Sequence, residues 1–173
     1  NDWNTAMKNL TPQFYRGSQL IYKYVDKTNF FAGNEFRYFD SKGIRDGNIE
    51  IARINSGRNL YHTILFTDDA RSGLPYTLNP DINGNFVVRN LDVANSNIEA
   101  DYVRMHFNKM YYEDIGNKEL HIYGNFNNWT IDSSTYMEYN ENTDSYKNTR
   151  LFKQGFYNYK YVLVDRDGSI DGG

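Results

Sequence analysis

The chain has 173 residues, with 19 lysines and arginines against 22 aspartates and glutamates and no cysteine. That length suits one domain or two small ones. The net charge of −3 supplies no basic excess for nucleic-acid binding, and the absence of cysteine removes disulfides, thiolate metal sites and thiol catalysis. No apolar run approaches the ~18 residues of a membrane span. No signal-peptide pattern opens the chain, which starts at Asn1 and is expected to be a mature product or an excised piece. Sixteen tyrosines, 11 phenylalanines and 23 asparagines stand beside only 6 alanines and 10 leucines. Tyr and Phe favour strands and Asn favours turns, so the composition is that of an all-β protein.

In chain order, short alternating runs predict nine strands, at residues 20–25, 35–40, 48–54, 60–67, 85–89, 102–107, 119–126, 145–152 and 156–165. Turn residues fill the breaks: Phe31-Ala32-Gly33-Asn34, Asn55-Ser56-Gly57, Asp81-Ile82-Asn83-Gly84-Asn85, Gly116-Asn117 and Lys153-Gln154-Gly155. Asn83-Gly84 suits a type I′ turn, in which both central residues need positive φ. Residues 2–10 are expected to form at most one helical turn. Nine short strands with frequent turns predict β-sandwiches. Asn95-Ser96-Asn97 interrupts the pattern, so a boundary is expected near 95–100. It divides an N-terminal sandwich over 1–98 from a second sandwich over 99–173.

In the second half, Leu120, Ile122 and Phe126 fall on one face of their segment, with His121 and Tyr123 on the other. Tyr157, Tyr159, Tyr161 and Leu163 share a face of the last strand. The expected core of this lobe joins Leu120, Ile122, Phe126, Tyr159, Tyr161 and Leu163 to Val103, Met105 and Phe107.

Gly124-Asn125-Phe126-Asn127-Asn128-Trp129, then Met137, Gly155, Tyr159-Lys160-Tyr161-Val162 and Val164-Asp165, resembles the early-set immunoglobulin-like domains that bind glycogen or starch. That likeness covers about residues 102 to 165. Four blocks resemble the type IX secretion system plug protein family, long a domain of unknown function: Asn34-Glu35-Phe36-Arg37-Tyr38-Phe39-Asp40, Asp81-Ile82-Asn83-Gly84-Asn85-Phe86-Val87, Glu99-Ala100-Asp101-Tyr102-Val103-Arg104-Met105-His106-Phe107 and Lys153-Gln154-Gly155-Phe156-Tyr157-Asn158-Tyr159. This second resemblance implies two immunoglobulin-like lobes in an exported, periplasmic protein of a diderm bacterium. It further implies association with the outer-membrane translocon barrel and a part in closing its pore. It implies a central fragment of a longer protein, truncated where a sandwich strand is expected after Asp165.

The glycogen-module resemblance implies Trp129 and Lys160, with Asn128 beside them, as carbohydrate-binding residues. An indole face stacks on a pyranose and an ammonium reaches a hydroxyl. Those modules carry a second Trp after the Tyr-Lys strand, where this chain has Asp165-Arg166-Asp167-Gly168-Ser169-Ile170. The competing reading makes Trp129 a packing anchor between two strands.

His106 shares a face with Tyr102 and Arg104, and His121 with Tyr123. If those strands pair, the two imidazoles approach each other, and with a carboxylate they would suit zinc. A polar outer sheet face accounts for both without metal, and neither metal nor cofactor is expected. His62, between Tyr61 and Thr63, carries no distinct signal. Asp165-Arg166-Asp167-Gly168 and Asp81-Ile82-Asn83-Gly84-Asn85 read as turns, because neither completes an EF-hand loop. Asp68-Asp69 and Glu113-Asp114 read as solvated turns rather than a glycosidase pair. The sequons at Asn9 and Asn128 carry no weight in a bacterial protein.

The plug-family resemblance implies a non-catalytic accessory domain that docks an aromatic, mildly acidic β surface on the periplasmic side of a translocon barrel. The alternatives are a carbohydrate-binding module for polysaccharide recognition and a non-catalytic part of a glycosidase. The expected partner is a protein, with oligosaccharide as the other candidate, and neither nucleic acid nor a membrane span is expected.

Overall fold

The computed structural model describes residues 7–25, 36–69 and 81–171. The turn expected at Phe31-Ala32-Gly33-Asn34 lies outside them, and residues 7–10 are not helical. Two units divide the chain, Asn1–Gly33 and Asn34–Gly173. In the first, β1 (Phe14–Arg16) and β2 (Gln19–Ile21) form an antiparallel hairpin. Gly17 in its loop takes a φ of +61°, which glycine adopts without a Cβ penalty.

The second unit holds β3 (Arg37–Asp40), β4 (Ile51–Ser56), β5 (Tyr61–Leu65), β6 (Phe86–Val88), the one-turn helix α1 (Ser96–Glu99), β7 (Tyr102–Lys109), β8 (Glu119–Tyr123), β9 (Glu138–Asn140), β10 (Ser145–Lys153), β11 (Gly155–Val164) and β12 (Ile170–Asp171). One sheet has the order β4-β5-β7-β10-β9, antiparallel except for the parallel pair β5–β7. The other is built on β11. Its first half pairs with β3 and β6 and its second half with β8 and β12, all antiparallel. The fold is all-β, and the two sheets share one core.

The boundary expected near 95–100 does not separate two sandwiches. β5 lies hydrogen-bonded to β7, and β3 and β6 to β11, so strands from residues 37–88 complete both sheets of residues 102–171. The physical reason is that β7 and β11 would otherwise keep unpaired backbone groups along their length. The break seen in the sequence is the helical turn α1. A strand does follow Asp165: β12 folds back on β11 around Gly168, whose N–H donates to the Asp165 carbonyl at 2.9 Å.

Each of the nine expected strands has a counterpart, with ends shifted by a few residues. β7 alternates along its length, with Val103, Met105, Phe107 and Lys109 buried and the intervening residues more exposed. The core joins these to Phe39, Ile51, Leu65, Leu120, Ile122, Met137, Phe152, Tyr157 and Tyr159. Phe126, Tyr161 and Leu163, expected fully inside, are half-buried against it. Aromatic rings fill the centre: Phe39 stacks on Tyr157 at 4.9 Å and meets Phe152 edge-on at 5.1 Å. Fully burying such a side chain is worth about 1.5–3 kcal/mol.

β8 is buried on both faces, which single-face alternation did not anticipate. Residues 124–137 fold over its outer side, where Tyr123 packs with Val162, Val164, Trp129 and Ile131. The Ile122 N–H donates to the Thr135 carbonyl at 2.9 Å, and the Met137 N–H to the Leu120 carbonyl at 2.8 Å. Among the described residues no helix is long and apolar enough to cross a membrane.

Candidate functional site

Trp129 and Lys160 pack against the same two rings, Phe36 and Tyr123, on the outer side of the β11 sheet. The chain leaves β8 through a 3-10 turn at Asn125–Asn127, after which Asn128 and Trp129 both take left-handed φ angles, +56° and +60°. Two consecutive non-glycine residues in that region are uncommon. They swing the indole back over Tyr123 (centroids 5.0 Å apart) and Phe36 (6.1 Å). Lys160 sets its ammonium 5.8 Å from the Tyr123 ring and 5.9 Å from the Phe36 ring. Burial lowers the Lys160 pKa, because an ammonium held against aromatic rings loses water. Asn128 is exposed beside them. The three residues expected to bind sugar are therefore neighbours. Trp129 is only half-exposed, and the rings of Phe36 and Tyr123 lie between its indole and the lysine.

The histidines pair differently from the expectation. His106 and His121 lie in different sheets and do not meet, because β8 pairs with β11 and not with β7. The partner of His106 is His62, across the parallel β5–β7 pair: His62 Nδ1 and His106 Nε2 are 2.9 Å apart. The rings stack with centroids 5.2 Å apart, and Thr149 Oγ1 lies 3.0 Å from His106 Nδ1. Burial lowers the His106 pKa, assisted by His62 and Arg104. Of the two facing nitrogens one donates and the other accepts, so the bonded pair holds at most one imidazolium.

His121 is buried. The Thr135 hydroxyl donates its one proton to the Asp132 carbonyl (2.8 Å), so it accepts from His121 Nδ1 at 3.0 Å. His121 Nε2 lies 3.3 Å from the Glu119 carboxylate. Beside it, Ile131, Asp132, Ser133 and Tyr136 complete an open cleft of about 380 Å³. Among the described residues no group of three or more His, Asp or Glu is placed to hold a metal ion.

Asp68 corrects the reading of Asp68-Asp69 as a solvated turn. The parallel run of β5 beside β7 continues past Leu65: the Asp68 N–H donates to the Asn108 carbonyl (2.8 Å), and the Met110 N–H to the Asp68 carbonyl (3.0 Å). This carries the Asp68 side chain to β11, where Tyr161 and Tyr159 donate to Oδ2 at 2.7 and 2.9 Å. Arg37 pairs with its Oδ1 and donates to the Asp69 carbonyl at 2.6 Å. Burial and the Asp68 charge hold both tyrosine hydroxyls well above their ordinary pKa, so they remain donors. Lys109, buried with its ammonium 5.6 Å from the Tyr161 ring, is lowered to about 8 by burial and the Arg37 charge. The network closes one end of the core. The sequence did hold a signal for it: tyrosine hydroxyls aligned on one inward face need a buried acceptor.

No family model matches the chain, and no curated protein matches it. Among solved structures it is similar to the crystal structure of a hypothetical protein from Parabacteroides merdae ATCC 43184, with a TM-score of 0.76 and 31% identity over 83% of this chain. The chain spans 36% of the length of that protein.

Proposed function

We propose that the chain is a non-catalytic docking domain of a type IX secretion translocon, seated at the periplasmic side of the outer-membrane barrel and helping to close it. The observation that supports this reading is where the blocks resembling the plug family fall. Three of them lie on strands that adjoin in one sheet, β3, β6 and β11, with Phe39 and Phe86 stacked on Tyr157 at 4.9 and 5.2 Å. The fourth is β7, which packs Val103, Met105 and Phe107 against them. A shared fold core explains why these residues form one pattern along the chain. The half-buried carboxylate of Asp68 is spent on Arg37 and two tyrosines, which suits a structural role.

The test is photo-crosslinking in a bacterium that uses type IX secretion, with the probe at exposed positions of the sandwich. Crosslinks to the translocon barrel support the reading, and their absence at every position overturns it. Carbohydrate binding remains the second reading, favoured by the proximity of Trp129 and Lys160 around Phe36 and Tyr123.

A further inference from the structure

The five-stranded sheet turns its second face away from the core. On β7 the residues alternating with buried Val103, Met105 and Phe107 are Tyr102, Arg104, His106 and Asn108. The register sets Lys153, Leu151, Thr149 and Lys147 of β10 beside them, in that order. On the other side lie His62 and Ile64 of β5, flanked by Asn55 and Arg53 of β4. These cross-strand positions hold four cationic residues, Arg53, Arg104, Lys147 and Lys153. The one carboxylate among them is Glu138 of β9, opposite Lys147. A chain with a net charge of −3 thus keeps one sheet face basic.

We propose that this face docks an acidic protein surface. The charge is complementary, and it is spread across three strands, β4, β7 and β10, rather than gathered in a groove. Arg53 and Arg104 are exposed, and a guanidinium fork pairs with carboxylates in bidentate geometry. Tyr102 and Leu151 are each nearly half exposed. Arginine and tyrosine are enriched at protein interfaces. The centre of the face is the hydrogen-bonded set His62, His106 and Thr149, which interrupts any continuous apolar patch that a bilayer would accept. Tyr102 already lies beneath the Lys153 ammonium, 5.7 Å from its centroid, and provides no stacking platform for bases. The identity of the partner as a protein rests on the docking reading above; the charge of the face does not.

The experiment uses the purified chain and a fluorescent peptide of alternating Glu and Ser, read by anisotropy. Binding should weaken about tenfold between about 50 and 200 mM salt, as screening shortens the reach of the charges. It should weaken at least as much in Arg104→Glu/Lys147→Glu, checked for folding by circular dichroism. Arg89→Glu, an exposed residue after β6 in the other sheet, should leave it unchanged. Absence of peptide binding, equal binding by the double variant, or tighter binding to single-stranded DNA or phosphatidylglycerol vesicles overturns the proposal. Barrel crosslinks that survive Arg104→Glu/Lys147→Glu would overturn this face while leaving the docking reading intact.

Discussion

Gly84 lies directly beneath the indole of Trp129, so close that a Cβ on Gly84 would stand 2.2 Å from Cη2. The same Cβ would come within 2.7 Å of the Phe36 ring. Gly84 also has a φ of +78° and follows Asn83 at +56°, with the Asn85 N–H donating to the Ile82 carbonyl at 3.2 Å. Steric space and backbone angle thus demand glycine independently at this turn. The turn is held from the other side by buried Asn158, whose Oδ1 accepts the Ile82 N–H at 2.6 Å.

Gly84→Ala should destabilise the chain by about 3 kcal/mol: the left-handed angle costs ~1–2 kcal/mol, and two aromatic rings must shift. Gly116→Ala supplies the control. Gly116 has a φ of +58° but nothing near its missing Cβ, so only the backbone cost of ~1–2 kcal/mol remains. Urea unfolding of both variants decides it. Equal losses would show that Trp129 is not packed on Gly84.

Phe107 and Phe126 should separate in the same assay. Phe107 is 1% exposed and meets Phe39, Phe152 and Tyr159, so Phe107→Ala should cost about 3–5 kcal/mol. Phe126 is half-buried between Phe152 and the Arg150 guanidinium, each 5.2 Å away, and its truncation should cost about 2 kcal/mol. A loss for Phe126→Ala matching that of Phe107→Ala would place Phe126 fully in the core.

Lys109 sets a pH dependence on the alkaline side. Its pKa is lowered from 10.5 to about 8 in the folded chain. Between those values the unfolded chain holds more protons, so stability should rise with pH across that window. Below about 8 both states are protonated and the contribution is flat. Urea midpoints measured from about pH 7.5 to 9.5 should climb in the parent chain and flatten in Lys109→Met. A slope that persists in Lys109→Met would assign it to another group.

Soluble α-glucans should give no measurable heat by isothermal titration. Ligand efficiency for drug-sized ligands is about −0.3 kcal/mol per atom, and only when most atoms make contact. Trp129 has spent much of its indole on Tyr123, Phe36 and Gly84, which leaves half a platform. A micromolar dissociation constant that vanishes in Trp129→Ala would instead support the carbohydrate-binding reading.

The existence of the longer strands, and the facing of β7, are local properties that were legible in the sequence. The period-2 alternation of 102–107 and the Asn83-Gly84 dipeptide each carry their own physical cause, and both are realised in β7 and in the turn at Asn83. The three strands not anticipated, β1, β9 and β12, span only two or three residues each and hold too little alternation to register. Trp129 and Lys160 were named from their motif, but motif spacing says nothing of Phe36, which reaches them from a remote part of the chain. Pairing partners are non-local, because any alternating run offers the same backbone donors and acceptors to any other. Only the assembled sheets put β5 beside β7, and with that single parallel pairing came the His62–His106 contact and the delivery of Asp68 to Tyr159 and Tyr161. The same pairing brought Arg53 of β4 onto the face where the β7–β10 pair sets Arg104, Lys147 and Lys153. Net charge sums over the chain, whereas the field a partner meets depends on which strands lie side by side.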